Sequence, residues 1–147
     1  VFSLRYLGPF QRAGRILGTS RAYTLDGKFE PPKPGTQRPL LIVSPSLDQR
    51  TVGDPNALAD ELFRGLPGAA DVEVLERRTS KVADVPAVEI VGTATEKDGS
   101  GKVSLYQVLV LPPAGGYYRI VGQVPEADAA HLMPELDKIV RSFRIVE

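Results

Sequence analysis

The chain has no cysteine and no tryptophan, and it has one methionine and one histidine. Without cysteine there is no disulfide framework and no thiolate metal site. That absence suits the cytoplasm and equally suits a bacterial envelope protein built without disulfides. No run of 18 apolar residues occurs, so no segment reads as a membrane-spanning helix. The formal net charge is zero, which supplies no basic excess for nucleic acid, and none is expected as a partner. The lone histidine, His131, is the only imidazole available to metal or acid–base chemistry.

What is present suits one globular domain over residues 1–147. A chain of this size buries roughly 68–70% of its unfolded surface, enough for its own core. Hydrophobic residues at 42% and charged residues at 24% are an ordinary globular balance, not a disordered one. Val1, rather than Met, opens the chain, so a preceding signal, lipid-anchored leader or other segment is expected.

The charge is unevenly spread. Residues 1–50 carry an excess of lysine and arginine, and residues 51–147 an equal excess of acids. Arg5, Arg12, Arg15 and Arg21 occupy the first 25 residues without one acid among them. They are candidate partner-binding residues for an anionic protein or surface, set against a solvated face that pairs with acidic helices.

The pattern alternates strand and helix signals. Phe2–Leu7 alternates apolar and polar positions and ends at Gly8-Pro9, which predicts a strand. Arg15–Leu25 reads as a second strand closed by Asp26-Gly27. Pro31, Pro32 and Pro34 predict a loop, because prolines cannot sit in a ladder. Pro31 and Pro34 also form a P-x-x-P, for which a stiff loop is preferred over a polyproline ligand. Leu40–Val43 is a continuous apolar run, expected to be a strand buried on both faces.

Asp54 is placed to cap a helix with Pro55 at its first position. Leu58, Leu62 and Leu66, with Ala59 and Phe63, give that helix an apolar stripe, and Gly65, Pro67 and Gly68 stop it. Strands are predicted from Val72 to Thr79, over Ala87–Glu96 and over Lys102–Leu111. The last two are joined by a hairpin turn at Asp98-Gly99. Both faces of Lys102–Leu111 are apolar, so both should be covered. Tyr117–Val124 follows, then a helix from Glu126 to Ser142 that Pro134 is expected to kink or divide. Arg144–Val146 is open between a last strand and a frayed end.

Val85-Pro86-Ala87-Val88 before a hairpin, Gly116-Tyr117-Tyr118-Arg119 after one, and Arg141-Ser142-Phe143 closing the final helix carry a resemblance. The order of elements is similar to that of the PsbP-like, or Mog1-like, domains, and the resemblance is strongest over residues 72–143. It implies an α+β fold, an antiparallel β-sheet flanked by helices as an α/β/α sandwich. The family includes extrinsic photosystem subunits, a Ran-binding protein, bacterial lipoproteins and secretion-associated chaperones, and its members are mostly not enzymes. No set of family site residues matches this chain position by position.

Candidate chemistry is sparse. Asp128 and Glu135 fall three before and four after His131, on one helical face, a possible ligand trio for a divalent metal. No fourth ligand accompanies them, and a solvated acidic face is the preferred reading. Gly18-Thr19-Ser20-Arg21-Ala22 lacks the last glycine of a nucleophile elbow. Gly99-Ser100-Gly101-Lys102 lacks the rest of a phosphate loop, since Glu96 and Val103 hold the positions that need Gly and Ser or Thr. Tyr117 and Arg119 belong to residue types favoured at interfaces, and they join the arginines as candidates. No catalytic residue, metal or cofactor is assigned. The expectation is a non-catalytic binding or accessory domain of a bacterial envelope-associated, periplasmic or secreted protein. The alternatives are a cytoplasmic chaperone or secretion adaptor, and a small metal-dependent enzyme using His131.

Overall fold

The strand at Lys102–Val110 carries buried side chains on both of its faces, and the remaining elements are arranged around it. A computed structural model describes residues 2–16, 20–28, 38–46, 52–66, 68–97 and 101–146. In chain order the elements are β1 (Phe2–Leu4), β2 (Gln11–Ile16), β3 (Ser20–Thr24), β4 (Leu40–Pro45) and α1 (Pro55–Arg64). There follow β5 (Ala69–Val82), β6 (Val85–Glu96), β7 (Lys102–Val110) and β8 (Tyr118–Pro125). A 3₁₀ turn at Glu126–Asp128, α2 (Ala129–Arg141) and β9 (Phe143–Ile145) complete the described chain.

Seven strands form one antiparallel sheet in the order β2-β3-β4-β8-β7-β6-β5, and β1 pairs with β9 in a separate two-stranded sheet. The helices cover opposite faces. Ala59 and Phe63 of α1 pack on Val88, Ile90, Ala94, Val103, Leu105 and Leu109. Leu132, Leu136, Ile139 and Val140 of α2 pack with Leu41, Val43, Val108, Ile120 and Phe143 on the other face. The α+β sandwich expected from the sequence is therefore what forms. Each wholly buried large apolar side chain contributes about 1.5–3 kcal/mol. The rings of Phe2, Tyr118 and Phe143 form a mutual cluster, with centroids 5.4–5.9 Å apart, that seats the small sheet on the large one.

The cap at Asp54 is present: its side chain accepts from the Ala57 N–H at 3.1 Å, and Pro55 opens the helix. The most buried line of α1 is Ala59 and Phe63, whereas Leu58, Leu62 and Leu66 lie partly buried beside it. The hairpin of β6 and β7 is in register through Ala94↔Val103 and Thr95↔Lys102. Its expected turn at Asp98-Gly99 lies outside the described residues, as does the Pro31–Pro34 loop.

Several sequence expectations are corrected. The strand foreseen over Arg15–Leu25 is two strands, with Ile16 facing Ser20 in register. Both obey the same two-residue alternation, so periodicity alone cannot locate the reversal. The first strand ends at Leu4 rather than Leu7, because its only partner, β9, is three residues long. In β4 only Leu41 and Val43 are fully buried, while Leu40 and Ile42 are half-covered. Pro134 does not divide the last helix, and α2 runs unbroken through it. Pro134 and Ala130 are both exposed, so the carbonyl that loses its helical donor faces water. The change of helical type comes earlier, at Asp128. The last segment, left open between strand and frayed end, is the strand β9.

Candidate functional site

Three polar constellations stand out, and the sequence pointed to parts of two. The first is an arginine corner. Arg12 stands opposite Tyr23, and Arg15 opposite Arg21, in the β2–β3 ladder. The Arg21 guanidinium lies 4.7 Å from the centroid of the Phe2 ring, which sets the start of β1 against β3; the exposed Arg5 follows the end of β1. Arg144 stands opposite Ser3 in the β9–β1 ladder, on the face of the small sheet turned away from Phe2 and Phe143. Its guanidinium donates only to the backbone carbonyls of Arg141 and Phe143, at 3.0 and 2.7 Å. Among the described residues, Arg5, Arg12, Arg21 and Arg144 have no carboxylate partner, so they do not pair with the acidic helices. Arg64 and Arg77 share Asp60, and Arg78 and Arg141 share Glu89.

The second constellation is buried beneath α2. Glu89 is wholly inaccessible, the one acid in the otherwise apolar run Ala87–Val91. Its carboxylate accepts from Arg141 at 2.8 and 2.9 Å, from Arg78 at 3.2 Å, and from the Tyr106 hydroxyl. Asp137 accepts from the same Arg141 at 3.2 Å and lies 3.2 Å from the Tyr106 oxygen, whose one hydrogen goes to Glu89. Burial alone would raise the Glu89 pKa. The hydrogen bonds from Tyr106, Arg141 and Arg78, helped by the nearby Ser80 hydroxyl, outweigh it and lower the pKa to about 2. Ser80 acts by proximity, since its buried hydroxyl makes no bond of ordinary geometry. Burial and the Glu89 carboxylate raise the Tyr106 pKa, so the phenol stays neutral. Arg78 and Arg141 face Glu89 and Asp137, with the exposed Glu76 also 3.6 Å from Arg78, a set that locks α2 to the sheet. The members come from β5, β6, β7 and α2, so no sequence spacing betrays them. The only signal is one glutamate among apolar neighbours.

The third constellation lies on the α1 face. Arg119 Nε donates to Gln107 Oε1 at 2.9 Å, and a terminal nitrogen donates to the Leu62 carbonyl at 2.8 Å. Gln107 is wholly buried and donates to the Ala59 carbonyl at 2.8 Å. Burial lowers the Arg119 pKa. Tyr117 packs, partly buried, on the α1 side, and Tyr118 on the α2 side. The two adjacent tyrosines thus face opposite ways, as strand geometry requires.

The residues weighed as a metal trio around His131 do not group as ligands among the described residues. His131 is exposed, Asp128 lies in the 3₁₀ turn, and Glu135 accepts from the Tyr6 hydroxyl at 2.7 Å and faces Lys138 at 3.5 Å. Among the described residues, no three His, Cys, Asp or Glu side chains group as metal ligands. A hollow of about 180 Å³ between Val52, Pro55 and the Leu111–Pro113 turn lacks charged lining and is smaller than an ordinary ligand pocket. No helix among the described residues is long and apolar enough to cross a membrane.

No family model matches the sequence, and no curated protein matches it. Solved structures do. The Ran-binding protein Mog1p of Saccharomyces cerevisiae superposes with a TM-score of 0.66 at 16% identity, over 99% of this chain and 90% of that one. The fold is Mog1/PsbP-like. Cyanobacterial PsbP from Synechocystis gives 0.65 at 10% identity, over 99% of this chain and 86% of its own. LpqN of Mycobacterium tuberculosis, involved in cell envelope biogenesis, gives 0.64 at 13%, over 99% and 83%. The Mog1/PsbP-like sandwich thus extends over the N-terminal strands as well as residues 72–143. At such identities the likeness speaks to fold.

Proposed function

We propose that this Mog1/PsbP-like domain is a non-catalytic binding module of an envelope-associated or secreted protein, and that it engages an acidic protein partner through its arginine corner. One observation carries the reading: among the described residues Arg5, Arg12, Arg21 and Arg144, on or beside β1, β2, β3 and β9, have no carboxylate partner, whereas Arg64, Arg77, Arg78 and Arg141 do. The exposed guanidinium groups of Arg5 and Arg12 are solvated and ready for a partner's acids. Arginine, not lysine, suits bidentate pairing with carboxylates. The known neighbours lend support: Mog1p is a Ran-binding protein, and LpqN serves cell envelope biogenesis.

The test uses a polyglutamate peptide and, separately, vesicles containing phosphatidylglycerol, at low and high salt. Peptide binding should be present at low salt and fade as salt rises, because exposed charges are screened over roughly 8 Å at physiological ionic strength. Replacing both Arg5 and Arg12, which are exposed, by Glu should abolish it without unfolding the protein. Binding to vesicles alone would replace the protein partner by a membrane surface. Binding of neither, or binding insensitive to the reversals, would reject the corner as a docking site.

A further inference from the structure

The Arg119 guanidinium has more donors than the protein uses. It carries five N–H groups. Two are engaged, one by Gln107 and one by Leu62, and both acceptors are neutral. Among the described residues no carboxylate reaches it. The Leu62 carbonyl belongs to the last turn of α1, so the helix end offsets roughly half a unit of its charge. The rest is uncompensated, and keeping an unpaired cation half-buried is costly. The Gln107 amide, itself pinned to α1, holds the fork in a fixed orientation.

A second donor stands beside it. Ser44 faces Arg119 directly across the β4–β8 ladder, hence on the same side of the sheet. Its hydroxyl accepts from Ser20 at 3.0 Å and retains its own hydrogen for another acceptor. Farther along the same face of β8, the carboxylate of Glu96 is bound by Gln123, four residues from Arg119 and about 13 Å away along the strand. That distance leaves little repulsion for a bound anion.

We propose that Arg119 and Ser44 form an anion-binding site on the α1 face, which takes one carboxylate or phosphate group of a ligand. It is separate from the arginine corner, whose Arg21 rests on Phe2 on the α2 side. The two donors offer a guanidinium fork and a hydroxyl to the same oxyanion, the pairing that planar carboxylate and tetrahedral phosphate share.

The experiment titrates the whole chain with inorganic phosphate and, separately, with acetate at fixed ionic strength, following the Arg119 Nε–H resonance by NMR. Saturable displacement by either anion is expected. Phosphate alone would assign a phosphorylated ligand, acetate alone a carboxylate ligand. Arg119→Lys, which keeps charge but loses the fork and its Nε–H and is therefore followed through the Gln107 side-chain amide, should weaken binding about 10- to 100-fold, the equivalent of one charge-assisted hydrogen bond. Ser44→Ala should weaken it about 2- to 10-fold, and it provides the deciding variant if Arg119→Lys fails to fold. Arg5→Glu with Arg12→Glu should bind as the wild type. A resonance that neither anion moves saturably, binding unchanged in Ser44→Ala, or loss of binding in the corner variant would overturn the proposal.

Discussion

Glu89 is the residue on which most of the polar interior depends. With its carboxylate removed, Arg78 and Arg141 keep only Asp137 in common and lose their buried acceptor, and the Tyr106 hydroxyl loses its partner. Breaking a buried ion pair costs about 3–5 kcal/mol. Here the arginine side chains are 43% and 38% exposed and can regain water, which places Glu89→Gln near the lower end. The same residue gives an acid signature. The unfolded chain takes up the proton near the ordinary value of 4.5, whereas the folded protein resists until about 2. Stability is therefore complete above the first value and declines as pH falls toward the second. Urea midpoints measured from neutral pH downward should show this decline in the wild type and a shallower one in Glu89→Gln. Equal declines would mean that Glu89 titrates like an exposed carboxylate. Residues of this kind are poorly legible in a sequence, because Arg78 and Arg141 look like any surface arginine until the strands place them.

Among the elements, two strands make room for helices by omitting a side chain. A methyl group on Gly92 of β6 would meet the Glu73 carbonyl and the Phe63 ring, at 2.9 and 3.0 Å for the ring atoms. One on Gly122 of β8 would meet the tips of Leu136 at 2.6 and 3.1 Å. Overpacking costs typically about 1–3 kcal/mol. A leucine tip can rotate and a strand backbone cannot, so Gly92→Ala should be the more destabilising by urea denaturation, with Gly122→Ala inside that range. The opposite order would show β5 to be more yielding than α2. Elements with chemical punctuation were legible: Asp54-Pro55 announces α1, and the apolar faces announce β7. The reversal between β2 and β3 was not, since its alternation continues through it. Pro134 misled because the exposure of Ala130, which makes the proline tolerable, is a property of the packed helix.

At the scale of the whole molecule, protection should follow position in the sheet. β7 lies between β6 and β8 under both helices, whereas β2 and β5 are the sheet's outer strands. Amide hydrogen exchange should be slowest in β7 and β8, approaching global unfolding, and fastest in β2 and in the exposed Leu75–Thr79 stretch of β5. Uniform exchange across the seven strands would mean that the sheet opens only as a unit. The pairing of Phe2 with Ile145 has a mechanical consequence. Tension applied across these two positions loads the β1–β9 hydrogen bonds one at a time, like the teeth of a zipper, rather than all together in shear. The small sheet therefore acts as a fuse that yields at low force, and it lets out slack before strain reaches the seven-stranded sheet.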